Sequence, residues 1–276
     1  MSINPAHAGG KTDWEAIAQN RFQWVGFEGA PNTQIISVDK KLKDELTGVG
    51  LLLVRDQITI NTQIKVFGNY SYRVPFKKGL LSFGLKAGFI QYTSKLSQLD
   101  TKDISDPSLD NNDFSTFLPN FGIGALYYRK KISLGFSIPQ FVGNPIRKQG
   151  NSISEAKLQR LYILTGGYRI KLSEKISAKP NIIIRGATNL PIQFDLNTNI
   201  GWNEKYWLGT TYRSSGGIDF LSMIQFSENL RIGYSYDFEW RWNNAFRGGS
   251  HEFSVMYIFL RPENKIEEKP YDPRYF

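Results

Sequence analysis

The sequence predicts an all-β fold, a transmembrane antiparallel up-and-down β-barrel of about 14 strands. Three observations predict it: alternation with a period of two, an aromatic face on one parity, and no run of helical periodicity. The clearest stretch is Arg231 to Trp242. One parity reads Ile232, Tyr234, Tyr236, Phe238, Trp240, Trp242; the other reads Arg231, Gly233, Ser235, Asp237, Glu239, Arg241. Side chains alternate faces along a strand, so one face is apolar and the other polar. Lipid needs the first face and a lumen the second. A slip of one residue would put Asp237, Glu239 and Arg241 into lipid, at roughly 2–4 kcal/mol for a basic residue near the midplane, so the register is strongly fixed.

Strands are expected near 13–24, 33–40, 48–56, 60–73, 79–94, 119–129, 131–140, 157–172, 176–187, 190–201, 205–213, 217–227, 230–242 and 251–260. Each follows from the same pattern. Leu81, Phe83, Leu85, Ala87 and Phe89 alternate with Ser82, Gly84, Lys86 and Gly88. Phe121, Ile123, Ala125 and Tyr127 alternate with Gly122, Gly124, Leu126 and Tyr128. Phe194, Leu196, Thr198, Ile200 and Trp202 alternate with Gln193, Asp195, Asn197 and Asn199. Ile218, Phe220, Ser222, Ile224 and Phe226 continue the series, and Phe253, Val255, Tyr257 and Phe259 close it. Barrel closure then requires 13–24 to pair antiparallel with 251–260, with the last row facing lipid, because an open edge in lipid leaves backbone groups unsatisfied.

An even strand number puts both termini on the periplasmic side of a bacterial outer membrane. Every second connection is then short and polar (Pro75–Gly79, Arg129–Lys131, Ser173–Lys175, Asn203–Lys205, Ser227–Asn229), while Lys95–Leu118 and Phe141–Ala156 are long external loops. The chain divides into a lead-in at 1–12, the barrel at 13–260 and a charged, Pro-containing periplasmic tail at 261–276. The leader that export requires is expected upstream of this numbering.

Composition agrees. Mean hydropathy is −0.35, too polar for a helical membrane protein, but a barrel hides its membrane signal in alternation. The 14 Tyr and 6 Trp suit interfacial girdles. The net charge of +9 raises nucleic acid as a partner, yet no basic helix or aromatic–basic RNA motif is present. Cationic turns beside anionic outer-membrane lipid and lipopolysaccharide fit better. Zero Cys excludes disulfides and thiolate chemistry. Ser250 and His251 are adjacent, so on a strand they face opposite ways and make no nucleophile–base pair. The aspartates between Asp100 and Asp113 lack the spacing of a calcium loop. No catalytic residue, cofactor or metal is expected.

Lys86, Arg169, Arg185, Asp195, Asp219, Asp237, Glu239 and Arg241 should face the lumen, where they form a selective pore or a network tying the wall to a plug or to neighbouring strands. Mixed signs favour the network. Trp24, Val25, Gly26, Phe27, Gly29, Ala30 and Pro31 form an aromatic corner after the first strand, a partner site or a loop folded over the barrel mouth.

Two segments carry a family resemblance. Ser2-Ile-Asn-Pro-Ala-His-Ala-Gly-Gly resembles the Asn-Pro-Ala-Tyr-Ala-Gly segment that opens PorP/SprF-family proteins, with His7 where Tyr is usual. Gln23-Trp24-Val25-Gly26-Phe27-Glu28-Gly29-Ala30-Pro31 is similar to that family's Gln-Trp-Val-Gly-Phe-Asp-Gly-Ala-Pro motif. Tyr70–Pro75, Leu81–Gly88, Pro119–Gly124 and the terminal Pro273-Arg274-Tyr275-Phe276 fit the same family in order. The resemblance implies a type IX secretion and gliding-motility barrel, with no enzymatic activity, that docks or anchors a secreted adhesin-type cargo protein through its C-terminal domain. Periplasmic motor or secretion components are further partners it implies. A transporter of hydrophobic small molecules, or a porin, is the alternative.

Overall fold

In the computed structural model, residues 1–10, 14–98, 113–143, 159–240 and 248–259 are described. They form a closed antiparallel barrel of fourteen strands. In chain order these are β1 (Trp14–Phe22), β2 (Asn32–Lys41), β3 (Thr47–Ile58), β4 (Asn61–Phe76), β5 (Gly79–Ser94), β6 (Phe114–Arg129) and β7 (Ile132–Ile138). Then come β8 (Leu161–Tyr168, resuming at Ile170–Lys171), β9 (Ile176–Ala187), β10 (Gln193–Trp202), β11 (Tyr206–Arg213), β12 (Gly217–Gln225), β13 (Leu230–Glu239) and β14 (Ser250–Phe259). Neighbours in sequence are neighbours in the wall, and the ring closes where β1 pairs with β14, Trp14 opposite Phe259 and Phe22 opposite His251.

The apolar parity faces outward on every strand named above. Phe83, Leu85, Phe121, Phe194, Leu196, Trp202, Phe220, Phe238, Phe253 and Phe259 are all exposed, while their neighbours Ser82, Lys86, Asn120, Asp195, Asn197, Asp219 and Asp237 are buried against the interior. Lipid therefore takes the place a core takes in a soluble protein. An apolar cluster exists inside as well: Leu52, Val54, Phe67, Ile90 and Leu118 meet across β3–β6, with Ile35 beside them.

Strand ends depart from expectation in several places; β10, for one, begins at Gln193 rather than 190. β6 begins at Phe114 rather than 119. Pro119 reads as a strand breaker, but β6 pairs with β7 only from Ile123 onward, so Pro119 stands on the part of β6 that precedes the β7 ladder and its missing N–H removes no rung from that ladder. β4 runs to Phe76, through Pro75, and its turn tightens to two lysines. β8 starts at Leu161 rather than 157 and is interrupted at Arg169, whose N–H bonds the Lys131 carbonyl instead. β13 ends at Glu239, and Arg241 and Trp242 lie outside the described residues, as do Asp13, Leu260, 99–112 and the tail.

Connections at the end of the barrel where β1 starts (the turn end) are all short. The longer connections gather at the other (the loop end), which also holds the short β3–β4 and β11–β12 turns.

Candidate functional site

The lumen is occupied by the chain's own N-terminus. Asn4 caps a short 3-10 turn, Pro5–His7, by accepting from the Ala6 N–H at 2.9 Å. Its amide Nδ2 donates to the Ala125 and Phe136 carbonyls of β6 and β7 at 3.1 and 3.3 Å. From there the wall supplies donors along the segment. Ser137 Oγ reaches the Ile3 carbonyl (2.9 Å), Lys86 Nζ the Ser2 carbonyl (3.1 Å), Ser82 Oγ the Ala6 carbonyl (2.8 Å) and Ser71 Oγ the Ala8 carbonyl (2.8 Å). The Arg73 guanidinium donates to the same Ala8 carbonyl, and the Gly9 N–H donates to Asp39 Oδ2 at 3.2 Å. Asn4, Ala6 and Ala8 are at most 1% exposed.

Apart from the two made by the Asn4 amide, these contacts read the segment's main chain rather than its side chains, so the segment and wall must approach closely. Glycines permit that. A Cβ on Gly84 would overlap Pro5 and Ala6, one on Gly124 would overlap the Asn4 side chain, and one on Gly48 the Ala8 carbonyl. All three sit on inward parity opposite the segment.

The predicted lumen charges divide. Lys86 is 4% exposed, binds the segment and stands 5.0 Å over the Phe67 ring. Arg185 pairs with Asp195 at 2.7 Å. Asp219 pairs with Arg213, Nε to Oδ2 at 3.0 Å, and Asp237 accepts from Arg21 at 2.6 Å with Arg213 at 3.5 Å. Arg21 also stands 3.5 Å from Glu252. A guanidinium–carboxylate belt thus runs along β9–β14 and β1. Arg169 does not join it; it bonds Glu204 in a turn at 2.8 Å. Glu239 accepts from Trp24 Nε1 at 3.3 Å. Arg241 is outside the described residues.

Sequence reasoning missed Arg21, Arg213 and Glu252, which lie on inward parity close to strand ends. It also placed the first residues as a lead-in, whereas residues 1–9 lie within the barrel. The unread signal was the inward glycines, a parity otherwise polar or bulky.

At the loop end, the Trp24–Pro31 corner is stapled to three neighbours. Val25 N–H donates to the Gly249 carbonyl (3.0 Å), Thr59 N–H to the Gly29 carbonyl (2.9 Å), and Gln23 N–H to the Pro31 carbonyl (3.0 Å). Trp24 adopts φ 48°, a left-handed conformation costly for a residue with a Cβ, and its indole bond to Glu239 holds it there. The indole turns inward, leaving Val25 and Phe27 exposed at 46% and 50%. His251 Nδ1 shares a hydrogen bond with Tyr234 OH at 2.8 Å, and Ser250 is buried beside Trp24 N. Among the described residues, no three His, Asp or Glu converge as a metal set.

Between the N-terminal segment and the β11–β14 side lies a cavity of about 180 Å³. Met1, Met223 and Met256, all the methionines of the chain, line it with Ile17, Ile35 and Trp207, and Lys179, Arg231 and Glu252 give the same cavity a charged side.

The family described as "Type IX secretion system membrane protein PorP/SprF" matches residues 1–257. No curated protein matches the chain. Among solved structures, the CymD monoaromatic hydrocarbon channel is similar at 11% identity and TM-score 0.56, over 94% of this chain and 92% of that one. The Pseudomonas putida (P. putida) toluene transporter TodX is similar at 10% identity and TM-score 0.52, over 94% and 93%. At such identity the likeness shows the barrel fold.

Proposed function

This chain belongs to the PorP/SprF family of type IX secretion system membrane proteins, and we propose that it is a non-catalytic outer-membrane barrel that docks or anchors a secreted surface protein through that protein's C-terminal domain. The observation that carries the reading is the occupied lumen. A barrel whose interior holds its own N-terminus by five hydrogen bonds from the wall side chains Ser71, Arg73, Ser82, Lys86 and Ser137, and by two from the Asn4 amide to wall carbonyls, is built as a rigid platform rather than an open conduit. The stapled corner supports it, since Val25 and Phe27 stand exposed on a fixed backbone, as an apolar anchor should. The orientation proposed with it puts the turn end and both termini in the periplasm, as short turns suggest, and the corner outside.

Co-purification from native membranes tests this. A large secreted protein with a C-terminal sorting domain should accompany the barrel, and Val25→Ser with Phe27→Ser should lose it by roughly thirtyfold or more, the weight of a buried aromatic anchor. Recovery of only lipid and lipopolysaccharide across several detergents would overturn the reading.

The methionines of the cavity favour a second reading, carriage of a small apolar molecule, because about 150 Å³ of apolar-walled space can hold a benzene-sized guest; Lys179, Arg231 and Glu252 on the same walls weigh against it. Calorimetric titration with toluene separates the two: saturable heat supports carriage, and its absence removes it.

A further inference from the structure

The charges at the turn end are unevenly placed. Over β4 to β8 the rim carries Lys77, Lys78, Arg129, Lys130, Lys131, Arg169 and Lys171, and among the described residues no acidic residue lies at this end between Glu45 and Glu174. Arg169 is tied to Glu204, and the other six are exposed. The loop end contrasts: its described connections carry Glu28 and Asp113 against Lys95 and Arg160.

What lies beside these cations decides the partner. Phe76 and Tyr168 are exposed on the outward parity at the same end, at 46% and 43%. Tyr127 packs edge-on against Phe76 with centroids 6.2 Å apart, and Lys77 Nζ stands 5.3 Å over the Phe76 ring. The motif recurs around the rim, with Lys40 Nζ 5.1 Å over Trp14 and Lys205 Nζ 5.5 Å over Tyr206. Aromatic rings on a barrel's outer face mark the depth of lipid headgroups. Cations stacked on them stand at the same depth, facing phosphate, and their stems lie along the rings. A soluble acidic partner would meet cations aimed off the barrel's end, away from its lipid wall.

We propose that the turn-end arc from Lys77 to Lys171 is a binding site for an anionic phospholipid headgroup in the adjoining leaflet. Lys77, Lys78, Lys130 and Lys131 hold the phosphate and its negatively charged neighbour, and Phe76 with Tyr127 receives the glycerol and upper acyl segment. The site is independent of cargo docking; the proposed orientation decides only which leaflet supplies the lipid.

Native mass spectrometry of the full chain in a non-ionic detergent, with equimolar phosphatidylglycerol and phosphatidylethanolamine, tests it. Phosphatidylglycerol should be retained roughly tenfold over phosphatidylethanolamine, given the strength of basic clusters near anionic surfaces. The quadruple variant K77Q/K78Q/K130Q/K131Q should lose the preference while keeping the heat-dependent gel shift of a folded barrel. The matching quadruple Lys→Arg variant, and the loop-end pair K95Q/R160Q, should keep it. Equal retention of the two lipids by the unaltered protein, an unchanged preference in the Gln variant, or displacement of the lipid by equimolar inorganic phosphate would each overturn the assignment.

Discussion

Gly84→Ala should release the N-terminal segment from the lumen without dismantling the wall. Gly84 lies in the interior of β5, paired with Ser71 and Gly124, where Ala fits the backbone. Inward, its Cβ would lie 2.5 Å from Ala6 Cα and closer still to Ala6 N and the Pro5 carbonyl carbon. Those are backbone atoms, so no side chain can swing away. The segment has little to lose. Five neutral hydrogen bonds at about 1 kcal/mol and three with the charged groups of Arg73, Lys86 and Asp39 at about 2 kcal/mol total roughly 11 kcal/mol. Ordering nine residues costs about 1–2 kcal/mol each, and burial of Pro5, Ala6 and Ala8 offsets part of that. The balance is a few kcal/mol, comparable to the roughly 1–3 kcal/mol of an overpacked methyl. The chain has no Cys, so a single Ala6→Cys reports cleanly. Maleimide should label it slowly, and roughly 5- to 150-fold faster once Gly84→Ala is added, the range those energies span. Single-channel conductance in planar bilayers should rise in parallel. If the double variant labels at the rate of Ala6→Cys alone and conductance stays flat, the segment is not held by close approach at Gly84, and the reasoning fails.

Asp237→Ala should destabilise the barrel by about 3–5 kcal/mol, because it leaves Arg21 and Arg213 facing one another without the carboxylate between them; urea unfolding in micelles measures it, and a loss under about 1 kcal/mol contradicts the belt. Gly248→Ala should loosen the loop-end corner, since its Cβ would overlap the Val25 carbonyl; faster proteolysis between Trp24 and Pro31 in a barrel that still runs folded is the expected result. The Asp44 carboxyl in the β2–β3 turn is held below the ordinary aspartate value by the Thr47 hydroxyl first and the Thr47 and Leu46 N–H groups after it. That order is present above the ordinary value and is lost as pH falls through the depressed one, so exchange protection of the Thr47 amide should drop there, and protection unaffected by acid would refute the cap.

The wall was legible because lipid enforces a period of two on every strand, and the seam could be written from β1 and β14 alone. Trp14–Phe22 pairs with His251–Phe259, and Phe253, Val255, Tyr257 and Phe259 face outward as expected. Strand ends were less legible. Pro119 and Pro75 signal breaks, yet each is tolerated within a strand, and only the register of the neighbouring strand reveals that for Pro119. The belt was half legible. Asp195, Asp219 and Asp237 stand on clean alternation, as does Arg185, the partner of Asp195, but the cations of the other two, Arg213 and Arg21, come from strand ends, where parity shades into turn.

The lumen segment was illegible for a more basic reason. Ser2 to Gly9 has no period, and the wall binds its carbonyls, which every residue carries, so its side chains encode little of the fit. The information sits on the other surface, in the inward glycines. Gly84 and Gly124 alternate with lipid-facing Phe83, Leu85, Ile123 and Ala125, so they occupy positions where a polar side chain would satisfy a water-filled lumen. A missing side chain there implies that something solid takes its volume. Asn4, a polar side chain that the segment sends to the wall's carbonyls, lands between β6 and β7 beside Gly124. The segment and the glycine column are thus two halves of one feature, and the physical requirement that buried backbone carbonyls find donors explains why Ser71, Ser82 and Ser137 stand on inward parity around it.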